Sequence, residues 1–510
     1  MRNASDWLPW LSLGALTALW LARWAMFPLV LDPSYHLFVG QQVADAGGPL
    51  AYEWWENAPA GRPHLYPPVF HLLLAALLKM GGSPVVVIRL ASVALLPALL
   101  LSLFLVIRRL VGPSAALASL WVGMIPFSFH LRSATTMAAT LGMIELLWFI
   151  LAVERERYLA AGLLLGLLCY THLGLPWVAL VMIAAYGCLQ PAARPRAWKA
   201  IWGILLALPW WVHLWRYRAY LHLFSRQENA MVEMTPLLYG LAGVGVWRCW
   251  RLKEEYAWPL ACWIGVTVLA PRHLYRWVSG EGLLPVLLLA GVGMDWLSSR
   301  LARRRPSARQ DRGRTLTSLA LFLVLIGSPT LERNASTWRW VWPDSAPWHL
   351  MGAPAAVRKA VDASGYSPQL DALARTVAGL SRPDEILWSN APYAAGLVAA
   401  LAHRPLASSM LSEVSAMGGA DPIGAAHVIV WFKLGALPGM VPVAALSPYA
   451  LTRVAEDELA VIFRQAAAHR TAHPPQAVLP LWTALALLGT AIGLILWDLR
   501  KARHPGPMSV

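Results

Sequence analysis

Long apolar runs separated by short polar loops set the pattern of the chain. They fall at residues 8–31, 84–107, 114–129, 137–153, 159–173, 175–189, 200–215, 236–247, 257–270, 283–297, 316–331 and 478–497. Most approach the ~20 residues that an α-helix needs to cross a bilayer. The pattern therefore predicts a polytopic α-helical membrane protein with about twelve transmembrane helices. A further run, 69–80, is too short to cross and is expected to lie at the membrane surface. Two polar stretches stand out by length, 32–82 and 332–476. Within the second, "DALARTVAGLS" places Leu373, Val377 and Leu380 at helical spacing, and "AAGLVAALAHRP" reads as a helix stopped by Pro405. "DEILWSN" and "AHVIVWF" read as buried strands. Strands alternating with helices predict a small α/β domain. The expected division is a membrane core at 1–331 carrying the loop 32–82, an α/β domain at 332–476, and a last membrane helix with its tail at 477–510.

Composition supports the membrane reading and removes a competitor. Of 510 residues, 58% are hydrophobic and 14% charged, against about 25% charged in soluble domains. The net charge of +15 suggests nucleic acid until the basic residues are located. They form short clusters between apolar runs: Arg108/Arg109, Arg155/Arg157, Arg194/Arg196/Lys199, Arg248/Arg251/Lys253, the run from Arg300 to Arg314, and Arg500/Lys501/Arg503. With 69–80 kept at the surface, all of these fall on one side. That is how membrane proteins fix topology, so this side is read as cytoplasmic, with both termini. The loop 32–82 and the domain 332–476 then face outside, and no nucleic-acid partner is expected. The first apolar run is long and lacks a small-residue cleavage site, so it reads as a span rather than a cleaved signal. Cys169, Cys188, Cys249 and Cys262 show no metal or redox spacing.

The chemistry concentrates where the first span ends, at "LVLDPSYHLFVGQQ". Asp32 sits at the membrane exit, and Pro33 suits the first turn of a helix. His36 follows at i+4 and shares a face with Asp32. Further along the loop, Glu53, Trp54, Trp55 and Glu56 offer aromatic and acidic groups suited to stacking on a sugar and hydrogen-bonding it. Interfacial tryptophan belts account for such aromatics equally well. Arg272 and Arg276 in "PRHLYRWVSGEG", and Arg132 in "FHLRSATTMAATLGM", are cations placed to meet an anionic headgroup. Glu228 and Glu233 lie in "SRQENAMVEMTP" just before a span. Glu145, inside a span, should face a polar cavity.

The first loop resembles that of the oligosaccharyltransferase catalytic-subunit family, within the C-type (GT-C) glycosyltransferase superfamily. The resemblance is carried by Asp32 after the first span, Tyr35-His36, Gly61-Arg62 and Tyr66-Pro67-Pro68. The many-span core and the outer domain before a last span are similar too. The resemblance implies a transferase that takes a sugar from a polyprenyl-(pyro)phosphate donor in the membrane and works on the external face. Asp32 would be catalytic. Arg272, Arg276 and Arg132 would bind donor phosphate. His36, Glu233 and Glu228 would hold a divalent metal (Mg or Mn) or orient the carboxylate, and metal-dependent and metal-free chemistry both stay open. Two features depart from the family. The next loop, "FHLRSATTMAATLGM", has no acid, and "ILWSNAPYAAG" stands where the family reads an asparagine sequon, keeping only Trp388. The acceptor is therefore expected to differ from a sequon. The alternatives are a lipid or sugar transporter (flippase) and a non-catalytic relative.

The charge pattern gives a direct expectation. In intact cells, a cysteine placed at Ala363 is modified by an impermeant reagent and one placed at Arg309 is not; the reverse result overturns the assigned sidedness.

Overall fold

A computed structural model describes residues 4–24, 29, 32–221, 232–252, 256–269, 274–302, 307–334, 337–352, 366–410, 414, 421–433, 443–466 and 470–500. The chain opens with α1 (Ala4–Ala22), α2 (Asp32–Ala46), the two-residue strands β1 (Tyr52–Glu53) and β2 (Arg62–Pro63), and α3 (Val69–Lys79). The helical core continues through α4 (Pro84–Leu110), α5 (Pro113–Gly123), α6 (Phe127–Thr135), α7 (Met137–Glu154), α8 (Tyr158–Thr171) and α9 (Leu175–Leu189). After α10 (Arg194–Ala200) and α11 (Leu208–Arg216) come β3 (Val232–Met234), α12 (Pro236–Arg251), α13 (Ala257–Val266), α14 (Leu274–Ser279), α15 (Leu283–Ala302) and α16 (Ser307–Ile326). Proline stands in the first turn of α4, α5, α9, α11 and α12. There its missing N–H costs nothing, because that donor has no partner within the helix.

Among the described residues, four helices are long and apolar enough to cross a bilayer: 84–110, 137–154, 276–302 and 481–500. Six shorter apolar helices accompany them, including α3. At 1.5 Å per residue, α3 covers about 16 Å, roughly half of a hydrocarbon core, and does not cross alone. Two of the expected runs are interrupted. The run 114–129 breaks between α5 and α6, where Pro126 is extended and lacks the N–H a continuous helix needs. The run 200–215 begins as a 3₁₀ segment at Ile201–Ala207 before Pro209 starts α11 afresh. Glu145 lies buried in α7 and accepts a hydrogen bond from Thr171 of α8 at 2.9 Å, while its second carboxyl oxygen is buried with no partner among the described residues.

Close approach of α12 and α15 depends on glycine. A Cβ at Gly245 would collide with the Leu289 carbonyl, and one at Gly293 with that of Leu241. Backbones therefore pack where lipid gives no hydrophobic reward for helix association. The last helix, α21 (Leu481–Arg500), returns to α8, where the Asp498 carboxylate accepts from the Ala160 N–H at 3.0 Å. That anion sits in the first turn of α8, the favourable end of the helix dipole.

After α16 the chain forms two sheets. β4 (Thr330–Asn334) and β5 (Thr337–Val341) join β3 in an antiparallel sheet of order β3-β4-β5. The boundary placed at 332 thus falls inside a strand. A short helix, α17 (Ala346–Met351), follows. The α/β region then runs through α18 (Pro368–Leu380), β6 (Leu387–Ser389), α19 (Pro392–Ala402), α20 (Pro422–Ala425), β7 (Val428–Phe432), β8 (Leu451–Glu456) and β9 (Ala460–Gln465). Its sheet has the order β6-β7-β9-β8, with β6 and β7 parallel and the rest antiparallel. His403, in the left-handed region, ends α19 just before Pro405.

The loop after α2 is locked to this α/β region through a buried ion cluster. Gly61, at φ 68, makes the turn that returns Arg62 beside Glu53. The Arg62 guanidinium donates to Glu56 at 2.5 Å and to Glu53 at 3.3 Å, and all three are fully buried. Glu53 also takes the Tyr35 hydroxyl at 3.2 Å and pairs with His64 Nδ1 at 2.6 Å. Glu56 accepts from Ser409 at 3.0 Å and from the Met410 N–H. Backbone bonds from Leu406 to Trp55 and from Ala58 to Leu406 complete the seam. Burial pushes the Glu56 carboxyl up, against the pull of Arg62. Burial also opposes charge on Glu53, but Arg62 and His64 hold that carboxyl below the ordinary range. Removing one partner of a buried ion pair leaves the other without compensation. Arg62→Met should therefore cost about 3–5 kcal/mol of stability, read as a lower unfolding midpoint in detergent; an unchanged midpoint would show that the cluster carries no such weight.

Candidate functional site

Asp32 is the first residue of α2 and is half-buried, whereas residues 33–44 behind it are all buried. Two side chains pin this helix: Tyr35 through Glu53, and His36 through a 2.9 Å contact between its Nδ1 and Nε2 of His71 on α3. His36 is buried, and burial, reinforced by His172 and His64, lowers its pKa to about 3. It is neutral near pH 7 and committed to His71. Orientation of α2 is the role that its Nδ1 contact describes.

The four residues expected to present a sugar-binding surface lie elsewhere. Glu53 and Glu56 are sealed in the Arg62 cluster. Trp55 is buried against Phe38 and His403. Trp54 is half-buried, with its ring 4.3 Å from Tyr52 and 4.7 Å from His473. These positions are spent on joining the loop to the α/β region. Arg272 and Glu228 lie outside the described residues.

Arg132, Arg276 and Glu233 do come together, through residues that sequence reasoning did not single out. Arg276 on α14 pairs at 3.0 Å with Glu281, a buried carboxylate in the turn before α15. On its other side Glu281 faces His172 Nε2 at 3.8 Å, in the loop between α8 and α9. His172 Nδ1 accepts from the N–H groups of Gly174 and Leu175 at 3.1 and 3.2 Å, which assigns the ring proton to Nε2. Burial, helped by Arg276, lowers the His172 pKa to about 4 against the pull of Glu281. Arg132 on α6 acts electrostatically on both Glu233 and Glu281. His36 senses His172. A polar seam thus runs from the foot of α2, through His172 and Glu281, to the two arginines.

Glu233 lies on β3, directly opposite Glu332 of β4, which is paired to Arg339 at 2.7 Å. It lines a tight polar pocket of about 10 Å³ with Ser128, Thr235, Tyr239, Thr330 and Asp344. Asp344 is held by His349 at 2.6 Å. Tyr239 also lines an apolar groove of about 290 Å³ with Ala242, Val246, Trp263, Trp277, Val286 and Leu289. Its hydroxyl is spent on the Val278 carbonyl at 3.0 Å, so the ring forms a wall between polar pocket and apolar groove. Among the described residues, no three His, Cys, Asp or Glu side chains converge as a ready metal site.

No protein-family model and no curated protein matches the sequence. Solved structures do match in fold, and the fold is that of the GT-C glycosyltransferases. The chain is similar to ArnT from Cupriavidus metallidurans bound to undecaprenyl phosphate, with a TM-score of 0.55 and 15% identity over 90% of this chain and 98% of that one. Its apo form gives 0.56 and 14% over 91% and 99%. The archaeal oligosaccharyltransferase AglB from Archaeoglobus fulgidus, in complex with an inhibitory peptide and a dolichol-phosphate, gives 0.53 and 11% over 84% and 69%.

Loss of water around the Glu233 carboxyl, reinforced by Asp344 and Glu332, raises its pKa from 4.5 to about 7. A raised folded-state pKa favours the protonated acid. Its stabilising effect is full below the unfolded value near 4.5 and is lost as pH rises through about 7. The unfolding midpoint should fall across that window and fall less for Glu233→Gln; parallel curves for the two proteins would show that Glu233 does not titrate there.

Proposed function

We propose that this protein is a membrane glycosyltransferase that moves a sugar or oligosaccharide from a polyprenyl-(pyro)phosphate donor to an acceptor on the external face. The acceptor is other than an asparagine sequon. The observation that carries the reading is the meeting of the apolar groove, lined by Trp277 and Val278, with the Arg276–Glu281 pair that directly precedes those residues. A ligand that uses both must be part lipid and part polar. The polyprenyl phosphates named with the two neighbours in fold, undecaprenyl phosphate for ArnT and dolichol-phosphate for AglB, have that character.

In this reading the isoprenoid lies in the groove and the phosphate meets Arg276 and Arg132. Asp32, at the foot of α2, accepts the proton of the acceptor nucleophile. The nucleophile bonds to the anomeric carbon while the bond from that carbon to the phosphate oxygen breaks, and the electron pair leaves with the phosphate. The arginines stabilise the charge that develops there. Arg276 is presented by Glu281, so an arriving phosphate takes over a cation that is already oriented. Both termini are cytoplasmic and the site lies on the opposite face.

The test is transfer from a radiolabelled polyprenyl-linked sugar by purified protein. Asp32→Asn keeps the shape and loses the charge, so transfer should fall at least ~100-fold in folded protein, the lower end for lost acid–base help. Wild-type rates from Asp32→Asn would remove the catalytic assignment. Movement of donor across a vesicle without release of lipid phosphate would replace the transferase by a flippase. The same assay after exhaustive chelation decides whether a divalent metal takes part.

A further inference from the structure

The β3-β4-β5 sheet is inside out relative to a sheet in water. Residues paired across an antiparallel sheet share a face. One face therefore carries Glu233, Thr330, Glu332, Arg339 and Val341, and the other carries Met234, Leu331, Trp340, Arg333 and Trp338, with Met234 packed against Val278 at the inner end. Thr330 and Glu332 on the first face are buried, and Thr330 and Glu233 line the polar pocket. On the second face Trp338 and Trp340 are 52% and 63% exposed, and Trp342, in the bend just after β5, is 71% exposed. A sheet facing water puts its apolar side inward. Here the carboxylates of β3 and β4 are on the covered side, while the edge strand β5 exposes Arg339 on one face and a ladder of indoles on the other.

The surroundings say what the ladder meets. The sheet leaves α16 after only Gly327, Ser328 and Pro329, and the last turns of α16 expose Leu323 and Val324 at 59% and 58%. Trp342 Nε1 donates to the Gly327 carbonyl at 2.6 Å, fastening the end of the ladder to the end of that helix. The next helix, α17, is tied to the end of α1 by Arg23, whose Nε donates to the Leu350 carbonyl at 3.1 Å. The ladder is thus continuous with an apolar helix surface and bracketed by the ends of two apolar helices. The Arg333 guanidinium lies 6.0 Å from the Trp338 ring, so a cation accompanies the indoles. Tryptophan and arginine together suit the headgroup level of a bilayer, where an indole buries its ring and keeps its N–H wet.

We infer that the Trp338–Trp340–Trp342 face is a membrane-docking surface that lies in the headgroup–acyl boundary of the lipid leaflet beside the site. The proposal rests on the membrane reading above and adds to it. The polar pocket is roofed by a ribbon lying on the lipid, so its opposite wall is held at the depth of a lipid headgroup.

The test uses the full chain in phosphatidylcholine–phosphatidylglycerol nanodiscs. The four native cysteines are replaced, and a polarity-sensitive fluorophore is attached at Trp340→Cys, with Arg375→Cys on α18, a 72% exposed side chain, as the aqueous control. The label at 340 should emit to the blue of the control, be quenched by lipids carrying a nitroxide near the headgroup, and be shielded from iodide. Iodide quenching equal to that at 375, without quenching by the lipid nitroxide, overturns the proposal. Shielding by added soluble oligosaccharide instead of lipid also overturns it and makes the ladder a glycan platform. Should the cysteine-free chain not fold, photoactivatable phospholipid and the wild-type chain give the same answer by mass spectrometry. Adducts on Trp338 and Trp340 are expected, and labelling confined to the helices refutes the proposal. Neither readout needs sugar transfer. An active enzyme with a solvent-facing ladder refutes this inference alone, and a lipid-docked ladder on an inactive chain refutes the transferase alone.

Discussion

One buried guanidinium sits at the centre of the seam that joins the loop after Asp32 to the rest of the molecule. Arg62 lies between Glu53 and Glu56 with no exposure to water, and each acid reaches a different element: Glu53 the Tyr35 hydroxyl of α2, Glu56 the backbone at Met410. The helix headed by Asp32 takes its orientation from that arrangement. Such a cluster contributes less net stability than its charges suggest, because each ion has lost its hydration. Its value is geometric, since one guanidinium meets both acids at once. Asp32 can stand half-exposed at the end of a long apolar run because the twelve residues behind it are immobilised.

The second governing constraint is the solvent. Beside a bilayer the usual inside–outside rule holds only where water is present, and this chain uses both versions. The α/β region buries Val428, Ile429 and Val430 in its sheet as any soluble domain does. The three-stranded sheet turns its acids toward Ser128 and Thr235 and its indoles outward. Tyr239 separates polar and apolar space within one side chain's width. In the proposed reading that boundary is built into protein, since the bilayer's own boundary is too diffuse to position an anomeric carbon.

Much of the architecture was legible because periodicity survives tertiary context. The helices at 368–380 and 392–402 and the strands at 387–389 and 428–432 formed where apolar spacing put them. Misread elements share a cause. The strands at 330–341 looked like the end of a span and a polar loop, because an alternation whose apolar side faces outward carries the wrong sign. Glu53 and Glu56 were read as surface groups because acids rarely lose all contact with water. The arginine that permits their burial lies across the β1–β2 turn, beyond the reach of a local pattern. Glu281 and His172 are more than a hundred positions apart, and nothing short of the fold brings them together. Asp32 was singled out for the opposite reason: a lone acid closing an apolar run stands out against its immediate neighbours.

His172 illustrates what backbone geometry does to a side chain's repertoire. Two N–H groups at the start of α9 occupy Nδ1, and burial keeps the ring uncharged at neutral pH. Proton exchange through that nitrogen would first have to unfasten the helix behind it. What remains is one N–H dipole aimed toward Glu281. In function the residue is closer to a backbone amide than to a titrating imidazole. It supplies a fixed direction instead of a variable charge, so the polarity of this corner of the site holds steady through the pH range in which an ordinary histidine would reverse it.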